Sequence, residues 1–202
     1  MNQDMIKDSL SEVLEQAWQL LGRGGADAKD TFHSPTLITQ GENWPEARTV
    51  ILREVDRQQR LLVCHSDVRA SKWAEILTQP RVSWHLWHPR HRIQLRLYAQ
   101  ATLYHQDDVA RAAWQDQSES SRLNYSAQIA PGTSVDQLSE AREAHTDYHQ
   151  LESADTEAWY PHFGVIHTVV EAFDYLLLSR EGHRRAHFRW HHDDWQGDWL
   201  VP

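Results

Sequence analysis

Cysteine is nearly missing from this chain. Cys64 is the single one among 202 residues, so no intrachain disulfide can form, which fits a reducing compartment. Long hydrophobic runs are missing too. No stretch approaches the roughly 20 apolar residues that span a bilayer, so no membrane association is expected. The first residues, Met1-Asn2-Gln3-Asp4, have neither a cationic start nor an apolar core. The expectation is therefore a cytoplasmic protein without an export signal. Positive charge is in deficit, with 20 Lys and Arg against 29 Asp and Glu for a net charge of -9. Such a surface repels polyanions, and no nucleic-acid partner is expected. No Gly-rich dinucleotide fingerprint occurs, nor any repeat or low-complexity tract.

Ten tryptophans and fourteen histidines are abundant instead. Tryptophan is large and needs packing or stacking partners, so some of these should line an interface or a planar ligand.

Periodicity organises the rest. Leu10, Val13, Leu14, Trp18 and Leu21 recur at helical spacing, predicting an N-terminal helix over 4–22 that Gly22, Gly24 and Gly25 end. Strands are predicted at "TLITQ", "ARTVILREV", "RLLVCH", "RVSWHLWH" and "RIQLRLYAQATLYH". A short helix follows in "DDVARAAWQ". A polar helix in "SVDQLSEAREAHTDYHQL" has Ser134 as N-cap and Gln137 completing a capping box. The segment "FGVIHTVVEAFDYLLLS" reads as two strands around a tight connection. A C-terminal hairpin over 184–201 closes the chain. Short connections favour an antiparallel sheet in one domain, 1–202, mainly β with peripheral helices (α+β). Seven or more strands favour closure into a barrel, which removes exposed edges.

The stretch "HSDVRASKWAEIL" stands out in so acidic a chain. A strand enters it and a helix leaves it. Ser66, Arg69, Ser71 and Lys72 crowd the turn. A helix start offers unpaired N–H groups and partial positive charge, where phosphate commonly binds. Ser71 could equally cap its own helix and the cations be solvated. Antiparallel pairing of the two preceding strands would bring Arg48 near His65 and Ser66 and add a guanidinium to the same anion.

Other constellations carry less. His183, His187 and His191 share a strand face, but roughly 13 Å separates positions four residues apart, so one metal cannot reach all three. No metal is expected. Cys64 lies in an apolar strand and reads as a small buried hydrophobe.

"ARTVILRE", "HSDVRASKWAEILTQPRVSWHLWHPRHRIQLRL" and the closing "W…WLVP" resemble the pyridoxamine 5'-phosphate oxidase-like flavoproteins, the FMN-binding split barrels. The resemblance covers about Pro45 to Gln94 and returns at the C-terminus. The family's ordered pieces are matched by Arg48-Thr49-Val50-Ile51-Leu52, Ser66-Asp67 with Ser71-Lys72, Gln79-Pro80-Arg81, and Arg92-Ile93-Gln94. The resemblance implies an antiparallel split β-barrel of the six-stranded type and a homodimer with FMN at the interface. It implies that Arg48 and Lys72 hold the FMN phosphate with hydroxyls from Ser66 and Ser71, beside Thr49 and His65. Val50, Ile51 and Leu52 would offer backbone groups to the flavin, and Gln94 would reach it from the other subunit. Arg53 stands where the vitamin-B6 oxidases have a lysine near substrate; Arg53, Gln94 and Arg96 are the candidates to tune charge near the ring.

The chain departs from the B6 oxidases at the substrate end. Their closing Arg-x-His-Asp-Arg pattern is replaced by "HRRAHFRW", with Ala186 and His187 where Asp and the last Arg would stand. In the helix after the long strand Asp116 replaces an Arg, Ser120 fits, and Arg122 could stand in if the alignment slips. The expected activity is thus an FMN-dependent oxidoreductase acting on a small molecule outside the B6 series. The alternatives are a flavin-binding protein without turnover and a haem-binding split barrel.

Overall fold

The computed structural model describes residues 6–143 and 155–202. Helix α1 spans Leu10–Ala26 rather than 4–22, of which residues 4 and 5 lie outside the described residues. Its start is set by Ser9, whose hydroxyl accepts the Glu12 N–H at 3.2 Å and donates to the Glu12 carboxylate at 2.7 Å. Ser9 is thus the N-cap, with Glu12 accepting from its hydroxyl. The glycines do not end it, because Gly24 is a contact point: a Cβ there would lie 2.7 Å from the Phe32 Cβ.

Among the described residues nine strands follow, with helices between. Strands β1 (Thr36–Gln40), β2 (Pro45–Thr49), β3 (Glu54–Asp56) and β4 (Leu61–Asp67) lead into α2 (Ser71–Thr78). Strands β5 (Arg81–His88) and β6 (Ile93–Tyr104) lead into α3 (Asp108–Gln115), α4 (Glu119–Arg122) and α5 (Leu138–Glu143). Strands β7 (Phe163–Leu177), β8 (Arg184–His191) and β9 (Asp194–Leu200) complete the chain. Helix α5 begins at Leu138, so Ser134, four residues before it, is too far away to cap it. The rest of that predicted helix, 144–151, lies outside the described residues.

All pairings are antiparallel, in the order β2-β1-β5-β6-β7-β4-β3, with β8 on β7 and β9 on β8. The sheet does not close into the expected barrel. Its end strands β2 and β3 do not pair; the chain itself passes from one to the other through residues 50–53. The predicted single strand "ARTVILREV" is broken there because its partner changes. Val50 and Leu52 donate their N–H groups to the Pro35 and His33 carbonyls, and Arg53 donates to Val63. Conversely, "FGVIHTVVEAFDYLLLS" is one strand, not two. Glu171 is the extra residue of a bulge opposite Tyr98 and Ala99. The bulge bends β7, so its first half pairs with β4 and its second half with β8 on the same edge.

Alternation decides the core. Ile93, Leu95 and Leu97 of β6 are fully buried and pack with Trp84, Phe173 and the α1 face carrying Val13, Ala17 and Leu21. Trp84 donates its indole N–H to Thr168 Oγ1 at 3.1 Å, and Thr168 donates to the Leu62 carbonyl at 2.9 Å. A second apolar cluster lies on the other face of β4 and β7, where Val63, Phe163 and Val165 meet Ala110 and Trp114 of α3. No helix among the described residues is long and apolar enough to cross a membrane.

Candidate functional site

Cations gather at the start of α2. Ala70 is its N-cap residue and no side chain caps it, so Ser71 occupies the first turn rather than capping its own helix. Lys72 Nζ donates to Ser66 Oγ at 3.1 Å. Burial, with the neighbouring Arg48 charge, holds the Lys72 ammonium below its ordinary pKa, against the pull of Asp67 and Glu75. A half-buried cation beside a hydroxyl and an uncapped helix start suits an anion.

Arg48 reaches this cluster by a route the sequence reading missed. It pairs with Leu37 of β1, not with β4. Its guanidinium is drawn to α2 by Glu75, at 3.0 Å, and by the Thr39 hydroxyl. Thr39 also donates to Glu75. Burial raises the Glu75 pKa, but the hydrogen bonds from Thr39, Ser71 and Arg48 and the Arg48 charge outweigh it, and the group stays below its ordinary value. Arg69 stands apart. It forks onto Asp67 at 2.7 and 3.0 Å and donates to the Ala127 carbonyl, which fixes the turn.

A cavity of about 750 Å³ opens on the other side of β4, beneath α3. Ser66 faces Lys72 while its neighbour His65 faces the cavity, as alternation along a strand requires. Arg53, His65, His167 and Gln117 line it. Burial lowers the His65 pKa to about 4, assisted by the Arg53 and His167 charges; His167 is lowered mainly by burial too.

The His65 shift has a measurable consequence. Between its ordinary value of 6.5 and about 4 the unfolded chain holds a proton that the folded chain refuses. Its contribution to stability is therefore complete above pH 6.5 and is lost as pH falls towards 4. The loss from this group between pH 7.5 and 5 should be about 2 kcal/mol. Urea denaturation of His65→Gln at the two pH values should show that much less acid sensitivity than the parent. Equal sensitivity would contradict the assignment.

Comparison with known proteins places the chain. Residues 10–105 match the family model described as pyridoxamine 5'-phosphate oxidase, FMN-binding domain. That segment belongs to the pyridoxamine 5'-phosphate oxidase FMN-binding family. A pyridoxamine 5'-phosphate oxidase-related, FMN binding protein from Nostoc punctiforme superposes with a TM-score of 0.72 at 21% identity, covering 96% of this chain and 100% of that one. PhzG from Burkholderia lata, solved with tetrahydrophenazine-1-carboxylic acid, superposes with a TM-score of 0.68 at 15% identity, covering 100% and 98%. At these identities the likeness is one of fold, and it is the split-barrel fold. Comparison with the curated proteins gives no match.

The expected phosphate residues Arg48, Ser66, Ser71 and Lys72 come together, and their donors suit a phosphate. His65 and Arg53 lie on the cavity side. Thr49 is exposed and Ile51 half-buried. The Val50 and Leu52 N–H groups are already donated to carbonyls, so neither is open to a flavin. Gln94 does not join the cluster within the chain. It sits on the outer sheet face, its Oε1 at 3.3 Å from the His85 ring. Arg96 is held by Asp174 at 3.1 Å. Arg122 is spoken for: it donates to the Trp114 carbonyl at 3.0 Å and to Thr156, over the Trp114 ring. Cys64 is buried and its thiol pushed up to about 12, which keeps it inert. Among the described residues no three His, Cys, Asp or Glu side chains converge as a metal site. Sequence reasoning missed Thr39, Glu75, Gln117 and His167; no local pattern marks them, since each reaches its site from a separate element.

Proposed function

We propose that this chain is an FMN-dependent oxidoreductase that works as a homodimer on a small molecule. The observation that carries the proposal is the uncapped start of α2 with Lys72, Ser66 and Arg48 gathered around it. These residues would hold the FMN phosphate; bound FMN would supply two-electron redox chemistry, while the chain orients it and sets the charge around it. Gln94 would complete the site from the second subunit. Trp87 pairs with Gln94 across β5 and β6, and Trp87 and Tyr98 on the same face are 38% and 40% exposed. Aromatic groups left in solvent around a functional amide favour a covered face. A lone buried cysteine accords with the cytoplasm.

The cavity under α3 favours turnover over storage, because a carrier needs no second chamber. Anaerobic mixing of the FMN-loaded protein with NADH or NADPH tests this. Bleaching of the flavin band, reversed by air, is the expected result. A flavin that stays oxidised with both donors, and with a panel of amines and reduced heterocycles, would mark a binder without turnover.

A further inference from the structure

Glu75 is a carboxylate set among groups expected to hold a phosphate. It accepts from the Arg48 guanidinium at 3.0 Å and from the Thr39 hydroxyl. Ser71 hydrogen-bonds to it as well, and its charge acts on Lys72. Three of the four expected phosphate donors thus already answer to one carboxylate. Its hydrogen bonds and the Arg48 charge outweigh burial, so it is ionised near neutral pH. An arriving anion must share Arg48 and Ser71 with it.

The charges around α2 are soon spent. Arg48 and Lys72 supply two cations. Arg69 forks onto Asp67, and that pair cancels. The Cys64 thiol is neutral, since burial pushes its pKa up to about 12. Glu75 takes back one charge and leaves the cluster with a single net positive charge. A phosphate monoester carries about 1.5–2 negative charges at pH 7, so one such group uses up the cluster.

No further cation waits on either flank. Residues 41–47, which lead away from Arg48 along β2 and its turn, hold Glu42 and Glu46 but no Lys, Arg or His. Residues 73–80, which follow Lys72, hold Glu75 and again no cation. Glu46 pairs with Thr39 across β1 and β2, and cross-strand partners share a face, so Glu46 stands on the side where Thr39 meets Glu75. A second phosphate placed there would meet carboxylates. Charge arrangements select by repulsion as well as by attraction.

We infer that Glu75 is a specificity-determining residue of the anion site: it cancels one of two cations, limits the site to a terminal phosphate monoester, and turns away a diphosphate such as that of FAD. This role rests on the reading of α2 and Arg48 as the FMN phosphate site and adds what sets its selectivity.

Calorimetry on the flavin-free full chain tests it, with orthophosphate, pyrophosphate, FMN and FAD as probes. In the parent, pyrophosphate should bind no more than threefold tighter than orthophosphate despite its extra charge. FAD should bind at least tenfold more weakly than FMN. Glu75→Gln keeps the length of the side chain and an acceptor for Arg48 but drops the charge. It should raise the preference for pyrophosphate over orthophosphate at least fivefold, with FMN held as tightly as in the parent or tighter. Glu75→Asp keeps the charge and should keep the parental preference. Glu46→Lys changes an exposed residue, leaves the Arg48–Glu75 pair alone and supplies the missing flank cation. It too should raise the pyrophosphate preference at least fivefold, which keeps the test open if Glu75→Gln folds poorly. An unchanged preference in Glu75→Gln or Glu46→Lys would overturn the inference. So would FAD bound by the parent as well as FMN, or FMN weakened tenfold by Glu75→Gln, since Glu75 would then serve only to hold Arg48 in place. Inorganic phosphates that behave as described in a protein taking up neither flavin nucleotide would count against the FMN reading alone.

Discussion

The Arg48→Ala/Lys72→Ala protein should lose FMN by a factor of 10² to 10⁴. Each side chain would give the phosphate a charge-assisted hydrogen bond worth about 1.5–3 kcal/mol, and together they would account for roughly 3–6 kcal/mol of binding. The fold must be checked separately. The Arg48 substitution strips the cation from Glu75, whose side chain is only 13% exposed, so Arg48→Ala/Glu75→Gln is the proper companion. Lys72→Met is cleaner still. The lysine is held below its ordinary pKa chiefly by burial, so its charge strains the apo protein. The methionine keeps the stem and removes the charge, which should leave apo stability unchanged or raised by up to about 1 kcal/mol. Flavin retention should nonetheless fall at least tenfold. A site residue whose removal helps the fold and harms the ligand behaves as a functional group does. Fluorescence titration of FMN alongside urea denaturation reads both effects. Unchanged FMN affinity in the double variant would place the phosphate elsewhere.

Gly164→Ala is expected to damage fold and site together. Gly164 pairs with Ser66 across β4 and β7. A Cβ at Gly164 would run into the Trp73 ring and approach Val68 Cγ1 to 2.7 Å. Trp73 is buried in the main core, so the indole has little room to yield. It also adjoins Lys72, so any retreat of Trp73 carries the start of α2 with it. Overpacking of this kind costs about 1–3 kcal/mol, and FMN affinity should fall with stability. Trp73→Phe in the Gly164→Ala background shortens the ring at the clash and should restore part of both. A Gly164→Ala protein with parental melting temperature and affinity would show that α2 is not seated on β7 in this way.

These effects show where sequence and structure part. The alternation of Ile93, Leu95 and Leu97 with Gln94, Arg96 and Tyr98 was enough to draw β6, because a strand buried on one face writes its period into the chain. The anion site was legible for a similar reason: Ser66, Ser71 and Lys72 lie within seven residues, and helix starts attract phosphate on local grounds. What depends on distant partners was not legible. The break at residues 50–53 follows from a change of hydrogen-bonding partner, to carbonyls of His33 and Pro35 and then to Val63. The continuity of β7 rests on a bulge at Glu171 opposite β6. The link between Arg48 and α2 runs through Thr39 and Glu75, two residues whose types suggest nothing alone. The N-cap at Ser9 is different: a serine followed three residues later by Glu12 is a local start signal and places the start of α1 at the right turn.

The central claim is that α2 and Arg48 hold the phosphate of FMN. Acid release of whatever the purified protein carries, followed by mass spectrometry of the supernatant, tests it most directly. The predicted result is FMN, close to one per chain, from a yellow protein, with the Arg48→Ala/Lys72→Ala protein colourless. A Soret band and released haem, or a protein that neither carries FMN nor takes it up when it is added, would contradict the account.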